Sequence, residues 1–384
     1  MSEHFYDKKK TMSPSYDIGI TCDHEITLGE IGIEIEVEGN KFQKNNLPSQ
    51  WKYHEDHSLR GKDNAEYVLN KPIMFSDVPK AVDDIFAMMK KYGSVLDESN
   101  RTSVHVHLNV QRFHLNRLCA FISLYLAVEE LLTAWCGEHR VGNLFCLRAK
   151  DAPAIVSIMK QYLISDGKSS IPDGMHYAGL NCKAIHKFGS LEVRSLRGPT
   201  DPKVILDWVS ILERIYKLSS EYPDPRAIVE NFSGYGAMDF LQNILGDKTA
   251  LVLENIPFNN QQVMESMYTG IRYAQDLCYC RDWTLYKPVE TSIDPFGRIN
   301  KSKKGAGGIT PVSIAQLNGP STGAHPLTFY NSNLSNSPSP HLHHQLEEAY
   351  GNMTTEQQEE FDEYLQQQAE DNNAYEEEQQ EENY

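Results

Sequence analysis

The chain has 384 residues, a formal net charge of −17 and 40% hydrophobic residues, which is the composition of a soluble globular protein of one or two domains. Residues 341–384 carry fourteen Asp and Glu and no Lys or Arg, so residues 1–340 have a net charge of only −3. The body of the chain therefore lacks the strongly basic surface of a nucleic-acid-binding protein, and we expect no nucleic-acid partner.

Three features of the sequence predict a cytoplasmic protein. The charged N-terminus lacks the apolar segment of a signal peptide. The longest apolar segment, Leu115–Cys136, holds Arg117, Glu129 and Glu130, which favours a core helix over a membrane span and predicts no membrane partner. The seven cysteines form no C-x-x-C pair, which is typical of reduced thiols rather than of a disulfide scaffold.

Taken in chain order, the sequence of residues 1–16 predicts a flexible leader. The sequence of residues 17–222 predicts one domain of short strands and helices. The periodicity of apolar residues predicts strands at 30–39, 65–69, 103–110, 176–186 and 189–196, and helices at 77–92, 115–136, 152–164 and 201–218. Short strands with irregular crossovers favour an α+β fold around a mostly antiparallel sheet.

The rest of the chain changes in character. Residues 223–285 predict further helices, which we interpret as a C-terminal helical appendage. Residues 286–345 are linker-like, and residues 346–384 form an acidic Gln/Glu-rich tail with too little apolar content to pack, predicted to be partly helical or disordered. A solvated extension is the simplest interpretation of this tail, and a docking site for a partner protein is the alternative.

Three of the predicted strands share one pattern. Successive side chains of a strand point to opposite faces, and each of these strands places apolar side chains on one face and polar ones on the other. The polar residues are Glu34 and Glu36 in the first strand, His105, His107 and Asn109 in the second, and Glu192 and Arg194 in the third. A solvated face of a sheet would explain Glu34 and Glu36 equally well if they stood alone.

Taken together with Glu66 of the strand at 65–69, these polar faces make a donor set for a hard cation. Carboxylates with an occasional imidazole suit Mg²⁺ or Mn²⁺, whereas Zn²⁺ prefers more His or Cys. Carboxylates beside arginines that can bind phosphate describe a site for phosphoryl transfer. The arginines are Arg140, Arg148, Arg194 and Arg197. Neither G-x-x-x-x-G-K-[ST] nor G-x-G-x-x-G is present, so a nucleotide would be held by another architecture.

Five motifs within about residues 28–220 resemble, in their order, the amidoligase family of carboxylate–amine ligases, which is related to glutamine synthetase and glutamate–cysteine ligase. The motifs are G-I-E-I-E-V-E at 32–38, D-H-S-L to E-Y-V-L within 56–69, S-V-H-V-H-L-N at 103–109, R-V-G-N at 140–143 and G-S-L-E-V-R at 189–194. The resemblance implies a curved antiparallel sheet of the glutamine-synthetase type, with helices on its convex face and ATP and Mg²⁺ on its concave face. It also implies an enzyme in which ATP phosphorylates a carboxylate and an amine then displaces the phosphate to give an amide bond.

The resemblance implies roles for individual residues as well. The implied metal ligands are Glu34, Glu36, Glu66, His105 and Glu192. The implied nucleotide contacts are His107, Asn109, Arg194 and Arg197. The implied catalytic groups are Arg194, Arg140 and Glu36, and the implied contacts with the substrates are Arg140, Asn143 and Asp56.

Two other functions stay open at the level of the sequence. Guanidino kinases share the general fold of these ligases, so phosphoryl transfer to a guanidinium-type nitrogen is one alternative. A non-catalytic binding or scaffold protein that acts through its acidic tail is the other. No motif names the carboxylate or the amine, which are small molecules or peptides, and we expect the loops at 41–50, 138–150 and 165–177 to select them.

Overall fold

The computed structural model describes residues 27–59, 63–97, 99–198 and 201–284, and every structural statement below concerns these ranges. The predicted leader at 1–16, the linker-like segment at 286–345 and the acidic tail at 346–384 lie outside the described residues.

Seven strands form one sheet in the order β2-β3-β1-β5-β7-β6, and β4 pairs with the end of β1. The strands are β1 Ile31–Asn40, β2 Trp51–His54, β3 Asn64–Leu69, β4 Val95–Leu96, β5 Ser103–Asn109, β6 Leu180–Asn181 and β7 Ser190–Arg197. Every pairing between these strands is antiparallel. The predicted α+β class with an antiparallel sheet is therefore confirmed.

Nine α-helices occur within the described ranges. They are α1 Val78–Tyr92, α2 Leu115–Cys136, α3 Ala154–Ile164, α4 Ala184–Phe188, α5 Pro202–Leu218, α6 Arg226–Tyr235, α7 Ala237–Leu245, α8 Thr249–Leu253 and α9 Asn260–Cys278. The sequence signals at two helix ends are confirmed, since Gly93 follows α1 in the left-handed conformation with φ 69° and the Asp201 carboxylate accepts the Lys203 N–H at the start of α5.

The core lies on the apolar face of the sheet. Ile31, Ile33 and Ile35 of β1 are at most 1% exposed, and the apolar residues of β5 are fully buried. Helices α2 and α5 pack against this part of the protein, where the Tyr125 hydroxyl of α2 lies 3.4 Å from the Ser195 hydroxyl of β7. The alternation in the sequence thus identifies the core face, and it leaves the opposite face of the same strands for polar side chains.

Helix α2 is the predicted core helix at Leu115–Cys136. It is long and apolar enough to cross a membrane, but 94% of its most apolar stretch is buried inside the protein. Helix α9 crosses α2 at close range. At the crossing, a Cβ atom added to Gly270 of α9 would lie only 2.3 Å from the carbonyl oxygen of Leu126. The Cys278 thiol donates to the Ser123 hydroxyl across the same crossing, at 3.3 Å. The helices after residue 223 therefore share a core with α2.

The prediction of a strand at 176–186 is wrong. The segment contains the end of a 3-10 turn, Asp173–Tyr177, the two-residue strand β6 and most of helix α4. The Asn181 side-chain oxygen accepts the Lys183 N–H at 2.8 Å, and this local bond turns the chain out of the sheet after only two paired residues. The turn sends the chain into α4, which Gly189 ends with φ 66°.

A β-bulge interrupts the pairing of β7 with β5. Val104 and Val106 of β5 lie opposite Leu196 and Val193 of β7, so a two-residue step on β5 faces a three-residue step on β7. The simple alternation predicted for β7 therefore fails at its centre, and Ser195 and Leu196 are both fully buried although they are neighbours in sequence.

Candidate functional site

A cavity of about 1000 Å³ lies on the polar side of the sheet. Its acidic lining residues are Glu34, Glu36, Asp56, Glu66, Asp173 and Glu192. Its Arg and Lys lining residues are Arg101, Arg140, Lys183, Lys187 and Arg194. The predicted metal ligands Glu34, Glu36, Glu66, His105 and Glu192 all line this one cavity, although they come from four strands spread over more than 150 residues of sequence.

The register of the strands explains this convergence. Glu36 of β1 lies opposite Glu66 of β3, and Glu34 lies opposite His105 of β5. In the next strand pair, His107 of β5 lies opposite Glu192 of β7. Because directly opposed side chains have Cβ atoms about 5 Å apart, the register alone brings the ionisable groups of four strands together.

Three of these groups lie close enough together to hold one cation. Glu34, His107 and Glu192 each offer a ligand atom, and these atoms all lie within 4.8 Å of one another. The His107 Nδ1 atom is 3.1 Å from the Ser190 hydroxyl, and its Nε2 atom is 3.3 Å from a Glu34 oxygen. Within the described residues, His107 rather than the predicted His105 belongs to this group.

His105 instead joins the carboxylates to one another. Its Nδ1 atom lies 3.1 Å from Glu34 Oε2, and its Nε2 atom lies 2.7 Å from the Ser103 hydroxyl. Ser103 also donates from its backbone N–H and its hydroxyl to Glu36 Oε2, at 2.8 and 2.6 Å. One oxygen of Glu36 is thereby fixed by Ser103, and the other lies 3.5 Å from His105 Nε2.

The charges of these groups are strongly coupled. Burial, together with the nearby charges of Glu34 and Glu36, raises the pKa of Glu66 to about 9. Burial also acts to raise the pKa of Glu34, but the charge of His107 and hydrogen bonds from both histidines hold that pKa well below its usual value. Burial would lower the pKa of His107, yet Glu34 and Glu192 raise it. The protonated forms of Glu66 and His107 are therefore favoured, as expected where several carboxylates lie close together.

Arg194 lies at the edge of this cluster. Its Nη1 atom donates to Glu192 Oε1 at 2.8 Å, and the Asn181 amide donates to Glu192 Oε2 at 2.7 Å. Burial would raise the pKa of Glu192, but the charges of Arg194, His107 and His105 together lower that pKa. Arg194 also lines the cavity, so its guanidinium lies at the cavity wall beside the carboxylates.

The structure brings Asp56 and Arg140 to the cavity as well. The Asp56 carboxylate accepts from the Ser58 N–H and hydroxyl at 2.8 and 2.9 Å, which fixes its orientation. Arg140 is only 2% exposed, and two of its nitrogens donate to backbone carbonyls of β7. Arg140 therefore lies at the cavity, where contact with a substrate was predicted, but its guanidinium is bonded to the backbone of β7.

Four predicted site residues are not among those that line the cavity. His107 instead belongs to the group with Glu34 and Glu192 described above, and the other three are bonded elsewhere. Asn109 donates to the carbonyl oxygens of Thr27 and Gly29, just before β1. The Asn143 side chain accepts the Phe145 N–H and caps a 3-10 turn. Arg197 donates to two carbonyl oxygens at the end of α2, the nearer at 2.8 Å. All three stabilise loops or helix ends that surround the site.

Sequence reasoning missed several residues of the site. Ser103, Asn181 and Ser190 each bind one of the ionisable groups. Ser103 and Ser190 stand in the same strands as residues that were predicted, so strand membership could have suggested them. The cavity residues of the 173–188 segment gave no such signal, because the sequence predicted a strand there.

The fold and the site together define an α+β protein with a cavity lined by carboxylates, histidines and basic side chains on one face of an antiparallel sheet. Comparison of the chain with models of protein families and with curated proteins finds no match. A function for this chain therefore rests on the chemistry of the cavity.

Proposed function

We propose that this protein is an ATP- and Mg²⁺-dependent carboxylate–amine ligase with a glutamine-synthetase-like catalytic fold. In the reaction, the terminal phosphoryl group of ATP is transferred to a substrate carboxylate, and ADP leaves. An amine then attacks the acyl phosphate, loses a proton and displaces inorganic phosphate, which leaves an amide bond.

One observation carries this proposal. Carboxylates from β1, β3 and β7, which are buried or half-buried, share a single cavity with the Arg194 guanidinium. Phosphoryl transfer requires cations to neutralise the phosphates and a positive group at the transferred phosphoryl. The carboxylates would bind such cations, and the Arg194 guanidinium would be the positive group. The cavity volume of about 1000 Å³ leaves room for a nucleotide and a second substrate.

The donor set fits a hard divalent cation. Glu34 and Glu192 provide carboxylate oxygens, and His107 provides an imidazole nitrogen held by Ser190. This set suits Mg²⁺ or Mn²⁺ and lacks the sulfur ligands that favour Zn²⁺. When bound, Mg²⁺ would neutralise the charge that otherwise keeps the phosphates away from a carboxylate.

The chain's own groups have separate tasks in this scheme. Arg194 would donate to the oxygens of the transferred phosphoryl group, since its planar guanidinium matches that geometry. Glu36 and Glu66 would supply further oxygens near the bound cations, and Ser103 would hold Glu36 in one orientation. Glu66, with its pKa raised to about 9, would release its proton when a cation binds beside it.

The test is calorimetric titration of a non-hydrolysable ATP analogue into the full chain, with and without Mg²⁺. We expect binding that requires Mg²⁺ and that is lost in the Glu34→Gln/Glu36→Gln variant, because both carboxylates line the cavity. Glu38→Gln is the matched control, since Glu38 lies on the same strand but does not line the cavity. This control should bind like the wild type.

Absence of Mg²⁺-dependent binding by the folded wild-type protein at millimolar analogue would contradict the proposal. If binding is found, the products formed with candidate acids and amines decide the reaction. ADP, phosphate and an amide indicate the ligase, whereas ADP and a phosphorylated nitrogen acceptor indicate the phosphotransferase. The latter outcome would retain the nucleotide site and replace the ligase activity.

A further inference from the structure

We propose that Arg140 is a positioning residue that holds Arg194 in place through the β-bulge of β7, rather than a residue that contacts a substrate. The role of Arg194 in this inference rests on the proposed function. The role of Arg140 rests on the geometry of β7.

The bulge creates a need for hydrogen-bond donors. Between Val193 and Leu196 the backbone of β7 steps out of register with β5, so Arg194 and Ser195 fall outside the regular ladder. Buried carbonyl groups that leave a ladder must find other donors. The Arg140 guanidinium provides them, since Nη2 donates to the Arg194 carbonyl at 2.6 Å and Nε donates to the Ser195 carbonyl at 3.1 Å.

The guanidinium suits this task because of its shape. Its nitrogens form a rigid planar fork, so one side chain fixes two consecutive carbonyl groups relative to each other. A lysine at the same position would retain the positive charge but would present a single ammonium group, which cannot reproduce the fork. The contact between Arg140 and the bulge therefore depends on geometry as well as on charge.

Arg140 is itself held firmly by its loop. Its side chain is 2% exposed, and its carbonyl oxygen accepts the Cys146 thiol at 3.5 Å. The Asn143 side chain donates to the His139 carbonyl at 3.3 Å and caps the following turn. The loop that was expected to face the substrate is thus built as a support for β7.

The bulge in turn directs Arg194. A bulge re-aims the side chains of its strand, and Arg194 sits within it with its N–H bonded to the Gly179 carbonyl at 2.9 Å. From this position its Nη1 atom reaches Glu192 Oε1 at 2.8 Å. Loss of the support from Arg140 would free the backbone of the bulge, and Arg194 would no longer be held beside the carboxylates.

The first experiment needs no ligand. Amide hydrogen exchange is measured for the segment 190–198 in the full-length wild type and in Arg140→Lys. We expect exchange in this segment to become about tenfold faster or more in the variant, since two buried hydrogen bonds to the bulge are lost. Unchanged exchange in a folded Arg140→Lys protein would overturn the proposal.

Arg148→Lys is the matched control for this experiment. Arg148 is also a buried arginine, 6% exposed, but both of its donated side-chain bonds go to Asp151. Its replacement tests whether loss of any buried guanidinium near residue 140 loosens β7. Equal acceleration in both variants would show a general loss of stability and would overturn the specific role of Arg140.

The second experiment separates positioning from direct contact. The dissociation constant of a non-hydrolysable ATP analogue with Mg²⁺ is measured for Arg140→Lys, Arg194→Lys and the double variant. If Arg140 acts through Arg194, each single variant weakens binding about tenfold and the double variant is no weaker than Arg194→Lys alone. Effects that multiply in the double variant would show an independent contact by Arg140 and would overturn the proposal.

The two experiments also distinguish this inference from the proposed function. A wild type that fails to bind the analogue contradicts the ligase, while the exchange measurement still decides whether Arg140 supports the bulge. A wild type that binds the analogue, with Arg140→Lys binding equally well, leaves the ligase standing and removes Arg140 from its site.

Discussion

At the scale of single residues, a buried carboxylate outside the cavity gives the stability of the protein a dependence on pH. Glu129 of α2 is 5% exposed and accepts the Ala149 N–H at 2.9 Å. Burial raises its pKa to about 8. A glutamate in an unfolded chain has a pKa of about 4.3. Between these two values the native state binds a proton that the unfolded state releases, so stability falls as the pH rises through about 8.

We predict that Glu129→Gln removes part of this fall. Its free energy of unfolding, from urea titrations with a chelator present, should decrease less between pH 5 and pH 8 than that of the wild type, by an amount on the order of 3 kcal/mol. Glu130→Gln is the control, because Glu130 pairs with Lys150 at 2.8 Å at the surface. Parallel pH profiles for wild type and Glu129→Gln would contradict the prediction.

The residues of the site differ in how far the sequence reveals them. Glu34, Glu36, His105 and Glu192 were predictable because strict alternation fixes the face of a strand, and these strands have an apolar side that must be buried. Asn109 and Arg197 are the last residues of β5 and β7, yet their side chains bond to backbone carbonyl groups outside the cavity. The hydrogen-bond partners of long or amide side chains depend on local geometry, and the alternation of side chains along a strand does not predict them.

At the scale of elements, the crossing of α2 and α9 depends on the absence of a side chain at Gly270. A Cβ atom there would meet the Leu126 carbonyl oxygen at 2.3 Å and the Ala127 carbonyl oxygen at 2.8 Å. Backbone atoms within a helix cannot move aside without moving the helix. The close approach of α2 and α9 therefore requires glycine at this position.

We predict that Gly270→Ala lowers the free energy of unfolding by about 2 kcal/mol or more, since the two helices must separate. Gly234→Ala is the matched control, because Gly234 lies in α6 and a Cβ atom there would meet nothing within 4 Å. That change should be neutral or stabilise by up to about 1 kcal/mol. Urea unfolding of both variants provides the comparison, and equal losses in the two would refute the prediction.

Elements differ in predictability as residues do. Helices α1, α2 and α5 were found from long apolar periods with end signals such as Gly93 and Asp201. The structure around β6 was not predicted, because a single hydrogen bond, accepted by the Asn181 side chain from the Lys183 N–H, decides where the strand ends. The bulge in β7 was equally invisible, since it is defined by pairing with a strand about 80 residues earlier in the chain.

At the scale of the whole molecule, a divalent cation bound by the proposed ligands Glu34, His107 and Glu192 would stabilise the native state. A cation that binds only the native state stabilises it by about 2.7 kcal/mol at a hundred times its dissociation constant. We therefore predict that saturating Mn²⁺ raises the melting temperature by about 5 °C or more. In Glu34→Gln/Glu192→Gln this increase should vanish, because two of the three grouped ligands lose their charge.

Glu38→Gln serves again as the control and should respond to Mn²⁺ as the wild type does. Differential scanning fluorimetry in the presence of a chelator, Mn²⁺ or Ca²⁺ measures the effect. A melting temperature that Mn²⁺ leaves unchanged in the wild type would show that the grouped ligands do not bind this ion.

The order of the strands in the sheet has a consequence for how the protein acquires its site. β1 pairs with β5, and β5 pairs with β7, so strands that touch are separated by about 65 and 80 residues of chain. Forming contacts between distant segments costs the chain the conformational entropy of closing the loop between them, so proteins that depend on such contacts fold slowly. Glu36 and Glu66 meet in the pair of β1 and β3, but Glu192 joins them only when β7, the last of these strands, is added. On a ribosome, the cavity therefore cannot form until residue 197 has emerged, well after the first strand.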